Sequence, residues 1–139
     1  IKDMPFMLQR EVVDRLGASP GTKSYGRLSV MIQYHCRVMP LIPVPPESFR
    51  PAPKVQSAVV RLKPHKIKPF VATNELLLGK IVNLCFQQRR KTLRNCLKLY
   101  SDHLADIESL VDLTMRPERL SVSDFVAITN AIDQLVENS

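Results

Sequence analysis

Basic side chains are concentrated in one stretch of the sequence. Residues 48–101 contain twelve Lys and Arg against a single acid, Glu75, whereas residues 102–139 contain two basic and eight acidic residues. The resulting charge of +11 over the middle stretch is typical of a surface that binds a polyanion, because each neutralised phosphate releases counterions. The alternative is a solvated surface against which the acidic C-terminal stretch folds. Charge alone leaves both interpretations open.

A helix over Lys91–Tyr100 would gather part of this charge on one face. With Leu93 taken as the origin and about 100° per residue, Leu97 lies about 40° away, which defines an apolar seam. The cationic face beside this seam consists of Arg90, Lys91, Arg94 and Lys98. It contains no acid at the i, i+4 spacing of an ordinary solvated helix, which favours phosphate binding. Arg89 falls inside the seam, so either the helix breaks near it or a specific partner holds it there.

A proline-rich loop contains the candidate for stacking on a nucleobase. Pro51 and Pro53 stiffen this loop and lower the entropic cost of presenting a side chain, and Phe49 precedes them. A rigid aromatic side chain beside a basic surface is what stacking on a flipped base requires. The alternative is that Phe49 packs against the loop's own core, and the pattern alone favours this second interpretation.

Other kinds of site receive no support from the sequence. The histidines lack metal-ligand spacing, and no glycine-rich nucleotide loop occurs. The cysteines cannot all pair and none stands in a C-x-x-C motif, which predicts reduced thiols in a cytoplasmic protein. They are Cys36, Cys85 and Cys96. No apolar run approaches the roughly 20 residues of a membrane helix. We therefore expect no metal site, no membrane span and no secretion leader.

Strands and helices alternate over residues 4–62, which predicts an α/β fold. The apolar run Met4–Leu8 is typical of an interior parallel strand with neighbours on both sides. Because nothing precedes it with which to pair, we expect an N-terminal part of the domain to be missing. The other predicted elements are a helix over Gln9–Leu16, a helix with Leu28, Met31, Ile32 and His35 on its inner face, an edge or bulged strand over Cys36–Val44, and a strand over Val55–Leu62.

The hydrophobic period changes from about 2 to about 3.6 beyond the basic segment Pro64–Pro69, so we predict a domain boundary there. The stripes that follow are all helical, which predicts a small all-helical domain. They are Leu77, Ile81, Leu84 and Cys85 on a helix over Glu75–Phe86; Leu104, Ile107, Leu110 and Val111; and Phe125, Ile128, Ile132 and Leu135. Ser121 is a typical N-cap for the last helix, with Asp124 three residues later.

Four motifs resemble the KsgA-type family of ribosomal RNA adenine dimethyltransferases. They occur in the family's order and cover most of the chain. They are FMLQREVVDRL from Phe6, YGRLSV from Tyr25, FRPAPKVQSAVV from Phe49 and FQQRRKTLRN from Phe86. The third motif is shared with the related erythromycin-resistance methyltransferases, whereas the fourth is similar to the small-subunit branch. Gln56 stands where that branch often has Asp.

The resemblance implies a fold, a reaction and a partner. Residues 1–68 would be the C-terminal portion of a class I, Rossmann-like methyltransferase domain, and residues 69–139 a helical rRNA-binding domain. The enzyme would transfer methyl groups from S-adenosylmethionine to two adjacent adenines near the 3′ end of small-subunit (16S) rRNA. We expect a cytoplasmic monomer whose partner is the small ribosomal subunit. The family's cofactor loop and its Asn-Leu-Pro-Tyr motif precede the first residue of this chain, so the chain alone would be inactive.

The resemblance also implies roles for individual residues. Phe49 would stack on the target adenine as the catalytic contact. The residues expected to bind RNA are Arg89, Arg90, Lys91, Arg94, Lys98, Arg116, Arg119 and Lys54. Two other functions stay open. One is a large-subunit rRNA adenine methyltransferase of the erythromycin-resistance type, and the other is a non-enzymatic ribosome-assembly module that acts by binding RNA alone.

Overall fold

The computed structural model describes residues 4–44 and 57–137. The elements in these ranges are β1 (Met4–Gln9), α1 (Arg10–Leu16), α2 (Arg27–His35), β2 (Cys36–Val44), β3 (Ser57–Pro64), α3 (Glu75–Phe86), α4 (Leu93–Cys96), α5 (Leu104–Glu108) and α6 (Val122–Glu137). Two 3-10 helices cover Lys98–His103 and Pro117–Arg119. The order confirms an α/β part followed by helices. No helix in the described ranges is both long enough and apolar enough to cross a membrane.

β3 lies between β1 and β2 and pairs antiparallel with both. The predicted parallel pairing of Met4–Leu8 is therefore wrong for the partner that the structure describes, since β1 pairs antiparallel with β3. The predicted interior position of this strand depends on a preceding part of the domain and stays a prediction. An apolar run carries no information about strand direction, because direction depends on a partner that comes much later in the chain. The edge position of β2 is confirmed, with a register shift between Pro40 and Pro43.

Buried side chains form two clusters. The sheet cluster covers one face of β3 and consists of Val13, Leu16, Ala58 and Val60. The helical cluster is larger and draws its members from α3 to α6, together with Tyr25, Val30 and Tyr34 from the earlier part of the chain. The main core thus extends across the boundary that the sequence predicts between residues 68 and 69, and that boundary stays a prediction.

Helix α2 contacts both clusters, which changes the face that it buries. Val30 and Tyr34 are buried in the helical cluster, and Ile32 packs against the sheet cluster. The predicted inner face is wrong in two of its four positions, since Leu28 and His35 are exposed. A helix between two cores buries side chains on more than one side, and a single stripe does not describe it.

The longer helices follow local signals more closely. The predicted bounds of α3, Glu75–Phe86, are confirmed. The predicted N-cap of α6 is also confirmed, because the Ser121 N–H donates to Asp124 Oδ2 at 3.0 Å and the Asp124 N–H donates to Ser121 Oγ at 3.1 Å. The predicted inward positions Phe125, Ile128 and Ile132 are fully buried.

Tyr34 links the residues just before α3 to α2. Its hydroxyl oxygen accepts a hydrogen bond from the Ala72 N–H at 3.0 Å. The same hydroxyl holds the pKa of Glu75 below its ordinary value, and the nearby Lys68 lowers that pKa further. The Lys68 ammonium lies 3.6 Å from the Glu75 carboxylate and 5.7 Å from the centre of the Tyr34 ring. These contacts fix residues 68–75 against α2.

We expect Tyr34→Phe to lower the free energy of unfolding by about 1–3 kcal/mol, because the buried Ala72 N–H loses its acceptor. Its pH dependence should also change. The depressed pKa of Glu75 stabilises the fold above the ordinary value of 4.5, and this contribution is lost as pH falls through the lowered pKa. Without the Tyr34 hydroxyl, stability should fall less steeply below that pH. Urea unfolding at neutral pH and in an acidic series measures both effects.

Tyr100→Phe is the matched control for this prediction. Tyr100 is half-buried, and its hydroxyl has no hydrogen bond in the described part of the chain. Equal losses of stability in the two variants would contradict the role given to the Tyr34 hydroxyl.

Candidate nucleic-acid interface

The basic segment after α3 is not one helix. α3 ends at Phe86, a turn follows, and α4 comprises only Leu93–Cys96 before the 3-10 helix Lys98–His103. The prediction of a helix over Lys91–Tyr100 is therefore wrong. The helical wheel that grouped the four cations on one face does not apply to this segment.

Tertiary hydrogen bonds hold the backbone at the start of α4. The Leu93 N–H donates to the Met115 carbonyl at 2.7 Å, and the Arg94 N–H donates to the Leu113 carbonyl at 3.0 Å. In a continuous helix these amides would bond to carbonyls four residues earlier. Thr92 has extended backbone angles, with φ −69° and ψ 159°, as is usual before a new helix begins. A distant segment thus replaces the helical ladder.

The sequence offered two explanations for Arg89, a helix break near it or a specific partner, and both are correct. α3 ends at Phe86, and a specific partner holds the Arg89 side chain. Its Nη2 donates to the Tyr25 carbonyl at 2.7 Å and lies 3.7 Å from Glu118 Oε2. The guanidinium lies 5.8 Å from the centre of the Phe86 ring. The side chain is 42% exposed. It therefore stabilises the fold and still presents charge to solvent.

Tyr25 is a residue whose importance the sequence did not reveal. It is fully buried, its hydroxyl donates to the Leu120 carbonyl at 2.7 Å, and its ring meets the Phe86 ring edge-on at 6.1 Å. Burial, and secondarily the charge of Asp124, raise the pKa of Tyr25 well above its ordinary value. Hence the hydroxyl stays a donor at physiological pH. The only sequence signal for this residue is its place at the start of the YGRLSV motif.

The remaining cations of the segment differ in their partners. Arg90, Lys91 and Lys98 are exposed and make no ion pair with any residue that the structure describes. Arg94 is also exposed, but its Nη2 lies 3.9 Å from Glu108 Oε1. Three of the predicted RNA-binding side chains are therefore available to a polyanion, and a fourth would first have to leave a weak partner.

Arg116 and Arg119 flank Glu118, the partner of Arg89. Both arginines are exposed and belong to the short 3-10 turn Pro117–Arg119 or its N-cap. The turn is held by a hydrogen bond of 2.6 Å from the Gly21 N–H to the Glu118 carbonyl. Gly21 has a φ of 86°, which favours glycine at this position. The structure thus brings the two predicted arginines into the neighbourhood of Arg89.

A cationic cavity opens next to Arg89 at the beginning of α2. It has a volume of about 330 Å³, and its basic lining residues are Arg15, Lys23, Arg27 and Arg89. Arg15 is already paired with Glu11 at 2.9 Å. Sequence reasoning did not group these cations, because they are far apart along the chain and share no period.

Phe49 and Lys54 lie outside the described residues, so their predicted roles are untested. The described strands show where their segment is attached. Val44, the last residue of β2, pairs with Ser57, the first residue of β3, and Gln9 at the end of β1 pairs with Ser57 on its other side. Val44 and Ser57, the described residues on either side of this segment, therefore lie at the end of the sheet formed by the carboxyl ends of β1 and β2. This is the end of an open α/β sheet where ligands usually bind.

The cysteines do not suit nucleophilic chemistry. All three are free thiols. Burial raises the pKa of Cys85 to about 12, and burial also raises the pKa values of Cys96 and Cys36. The reactive thiolate is thus disfavoured at each of them near neutral pH.

Residues 1–134 match the profile of the family described as ribosomal RNA adenine dimethylase. A protein of Shewanella piezotolerans named ribosomal RNA small subunit methyltransferase A is 56% identical over 132 residues, which are 94% of this chain and 48% of the relative. A protein of the same name from Marinomonas sp. is 58% identical over 133 residues, which are 95% of this chain and 50% of the relative. The chain spans about half the length of the curated relatives that it matches.

Solved structures share the fold. A dimethyladenosine transferase from Plasmodium falciparum superposes with a TM-score of 0.74 at 23% identity, covering 99% of this chain and 58% of that one. The 23S rRNA methyltransferase ErmE gives 0.67 at 20% identity, covering 96% and 56%. These likenesses confirm the predicted α/β class. Because the family profile covers nearly the whole sequence, the chain belongs to the ribosomal RNA adenine dimethylase family.

Proposed function

We propose that the chain supplies the C-terminal half of an S-adenosylmethionine-dependent methyltransferase that dimethylates two adjacent adenines near the 3′ end of small-subunit rRNA during ribosome biogenesis. The observation that carries this proposal is the family match over residues 1–134. In this proposal the complete enzyme acts in the cytoplasm as a monomer on the small ribosomal subunit. Methyl transfer from labelled S-adenosylmethionine to unmethylated small-subunit rRNA by the complete polypeptide tests it.

Small-subunit rRNA is favoured over large-subunit rRNA as the substrate. The curated relatives named ribosomal RNA small subunit methyltransferase A are 56% and 58% identical to this chain. ErmE, a 23S rRNA methyltransferase, is 20% identical, which supports a shared fold and no more. An assay with both rRNAs separates the alternatives, since the proposed enzyme should label the small-subunit RNA alone.

The residues present do not fit a site for S-adenosylmethionine. The four glycines Gly17, Gly21, Gly26 and Gly79 stand singly, so the chain contains no glycine-rich loop of the kind that wraps such a cofactor. The basic cavity beside Arg89 contains no acidic residue that could hold ribose hydroxyls. The proposal therefore assigns the cofactor, which supplies the methyl group, to the rest of the polypeptide.

In the proposed enzyme the helical end, residues 69–139, holds rRNA. Support comes from the exposed cations Arg90, Lys91 and Lys98, which lack carboxylate partners among the described residues. Cations of this kind bind phosphates irrespective of base identity and so position an RNA without reading it. Phe49 would act at the reacting base instead, because an aromatic side chain can stack on an adenine that is flipped out of its helix.

The exposed cations lead to a prediction about salt. Arg90→Ala in the complete polypeptide should weaken rRNA binding and reduce the slope of log K against log salt by about 0.7–0.9, the value for one lost phosphate contact. Arg94→Ala should have a smaller effect, because Arg94 already has Glu108 as a partner. Binding titrations over a range of salt concentrations measure both slopes. An unchanged slope for Arg90→Ala would remove this residue from the interface.

Arg89→Ala and Arg90→Ala should differ in their effect on the free energy of unfolding. We expect Arg89→Ala to lower the free energy of unfolding by about 1–2 kcal/mol, because the Tyr25 carbonyl loses a charged donor. Arg90→Ala, the matched control, should change it by no more than about 0.5 kcal/mol. Arg89→Lys should recover only part of the loss, since an ammonium cannot reproduce the planar contact over Phe86. Equal stabilities of the two alanine variants in urea unfolding would contradict the structural role.

Phe49 should affect turnover more than binding. If it stacks on the target adenine, Phe49→Ala removes about 1–3 kcal/mol at the reacting base, or roughly a 5- to 150-fold loss of kcat/KM. Affinity for the small subunit should change little, because phosphate contacts elsewhere dominate it. Phe49→Tyr keeps an aromatic face and should retain most activity. Normal turnover by a poorly soluble Phe49→Ala protein would favour the packing interpretation instead.

A further inference from the structure

The pairing of β2 with β3 places two cations directly opposite each other. Arg37 pairs in register with Lys63. Directly opposite residues project from the same face of a sheet, with Cβ atoms roughly 5 Å apart. Val60, three positions before Lys63, is buried in the sheet cluster, so the two cations project from the other face. Both side chains are exposed. Like charges in this arrangement are destabilising.

A cavity of about 380 Å³ lies beside this pair. Its lining residues are Arg37, Lys63, Pro64, His65, Lys66 and Ile67. Three of these carry permanent positive charge, and none is acidic. His65 is fixed in the wall, because its backbone N–H donates to the His35 carbonyl at 3.0 Å and its Nε2 lies 3.3 Å from the Gln33 carbonyl.

Among the described residues, these cations have no counterion. Neither Arg37, Lys63 nor Lys66 pairs with a carboxylate of the described ranges 4–44 and 57–137. The neighbouring Lys68 shows the contrast, since it is paired with Glu75 at 3.6 Å and lies over the Tyr34 ring. The described part of the chain thus neutralises Lys68 and provides no carboxylate partner for the three cations around the cavity.

We propose that Arg37, Lys63 and Lys66 bind backbone phosphates of RNA, at a contact separate from the basic residues 89–98. The inference rests on the proposed function, which provides RNA as the polyanion. A phosphate between Arg37 and Lys63 would turn their repulsion into two attractions. The guanidinium can grip it through two parallel hydrogen bonds, while the ammonium groups act as compact charges.

This contact lies at the opposite end of β3 from Ser57, which pairs with Gln9 and Val44 at the carboxyl ends of β1 and β2. Ligands of open α/β sheets usually bind beyond those ends, and Lys63 lies six residues from Ser57, or roughly 20 Å at about 3.3 Å per residue. The phosphates bound here therefore belong to a part of the RNA away from the target adenine. Changes at Lys63 should alter RNA affinity and KM and leave kcat within about twofold of the unmodified enzyme.

Charge reversal in the complete polypeptide tests the proposal. Lys63→Glu places opposite charges on paired residues, so thermal unfolding should occur at the same or a higher temperature, by up to about 4 °C. Binding to a synthetic hairpin of the 3′-terminal small-subunit rRNA should nonetheless weaken roughly tenfold at low salt, and the salt slope should fall by about 1. Lys80→Glu is the matched control, because Lys80 lies on the exposed side of α3, outside this cavity.

The outcomes separate this proposal from the proposed function. A loss of affinity at Lys63→Glu well beyond that of Lys80→Glu, with kcat preserved, supports the contact. Affinity equal to that of the unmodified protein, an equal loss in both variants, or a loss confined to kcat overturns it. Failure of the unmodified polypeptide to bind or methylate the rRNA overturns the proposed function, and this inference with it. If Arg90→Ala weakens binding and Lys63→Glu does not, the proposed function stands and only the contact at Arg37, Lys63 and Lys66 is overturned.

Discussion

The hydrogen bond from Arg89 to the Tyr25 carbonyl is the constraint on which the rest of the structure depends. Tyr25 is fully buried, and its hydroxyl binds the Leu120 carbonyl while its ring packs on Phe86. One residue thus connects the turn before α2, the end of α3 and the turn before α6. An unpaired carbonyl at this position would be costly to bury, so the donor has to be there.

The charge distribution of the sequence combines the two interpretations that composition left open. Part of the acidic C-terminal stretch does fold against the basic stretch, since Glu118 lies beside Arg89 and Glu108 beside Arg94. These pairs are partly exposed and contribute little stability each. The two pairs neutralise only a fraction of the positive charge. The fold therefore has both ion pairs with the acidic stretch and an exposed cationic surface.

Sequence reasoning succeeded where local signals act and failed where distant partners decide. The bounds of α3 follow from an unbroken apolar period, and the start of α6 from the reciprocal Ser121 and Asp124 hydrogen bonds. The helix over Lys91–Tyr100 failed because the amides of Leu93 and Arg94 bond to a segment some twenty residues later. A helical wheel assumes that each backbone N–H bonds to the carbonyl four residues earlier. It therefore cannot show where a distant carbonyl replaces that acceptor.

The sequence by itself determined the α/β class, the helical end and, through four motifs in order, the family. It also located the basic residues and raised the question of Arg89. Only the tertiary structure decided that β3 inserts antiparallel between β1 and β2, that Arg89 binds a carbonyl 64 residues earlier, and that Arg37 faces Lys63. Periodicity and composition show which side of a segment is apolar, but they do not show which other segment packs against it. Strand direction, helix termination and the partners of charged groups depend on which segments meet, and that is decided only when the whole chain packs.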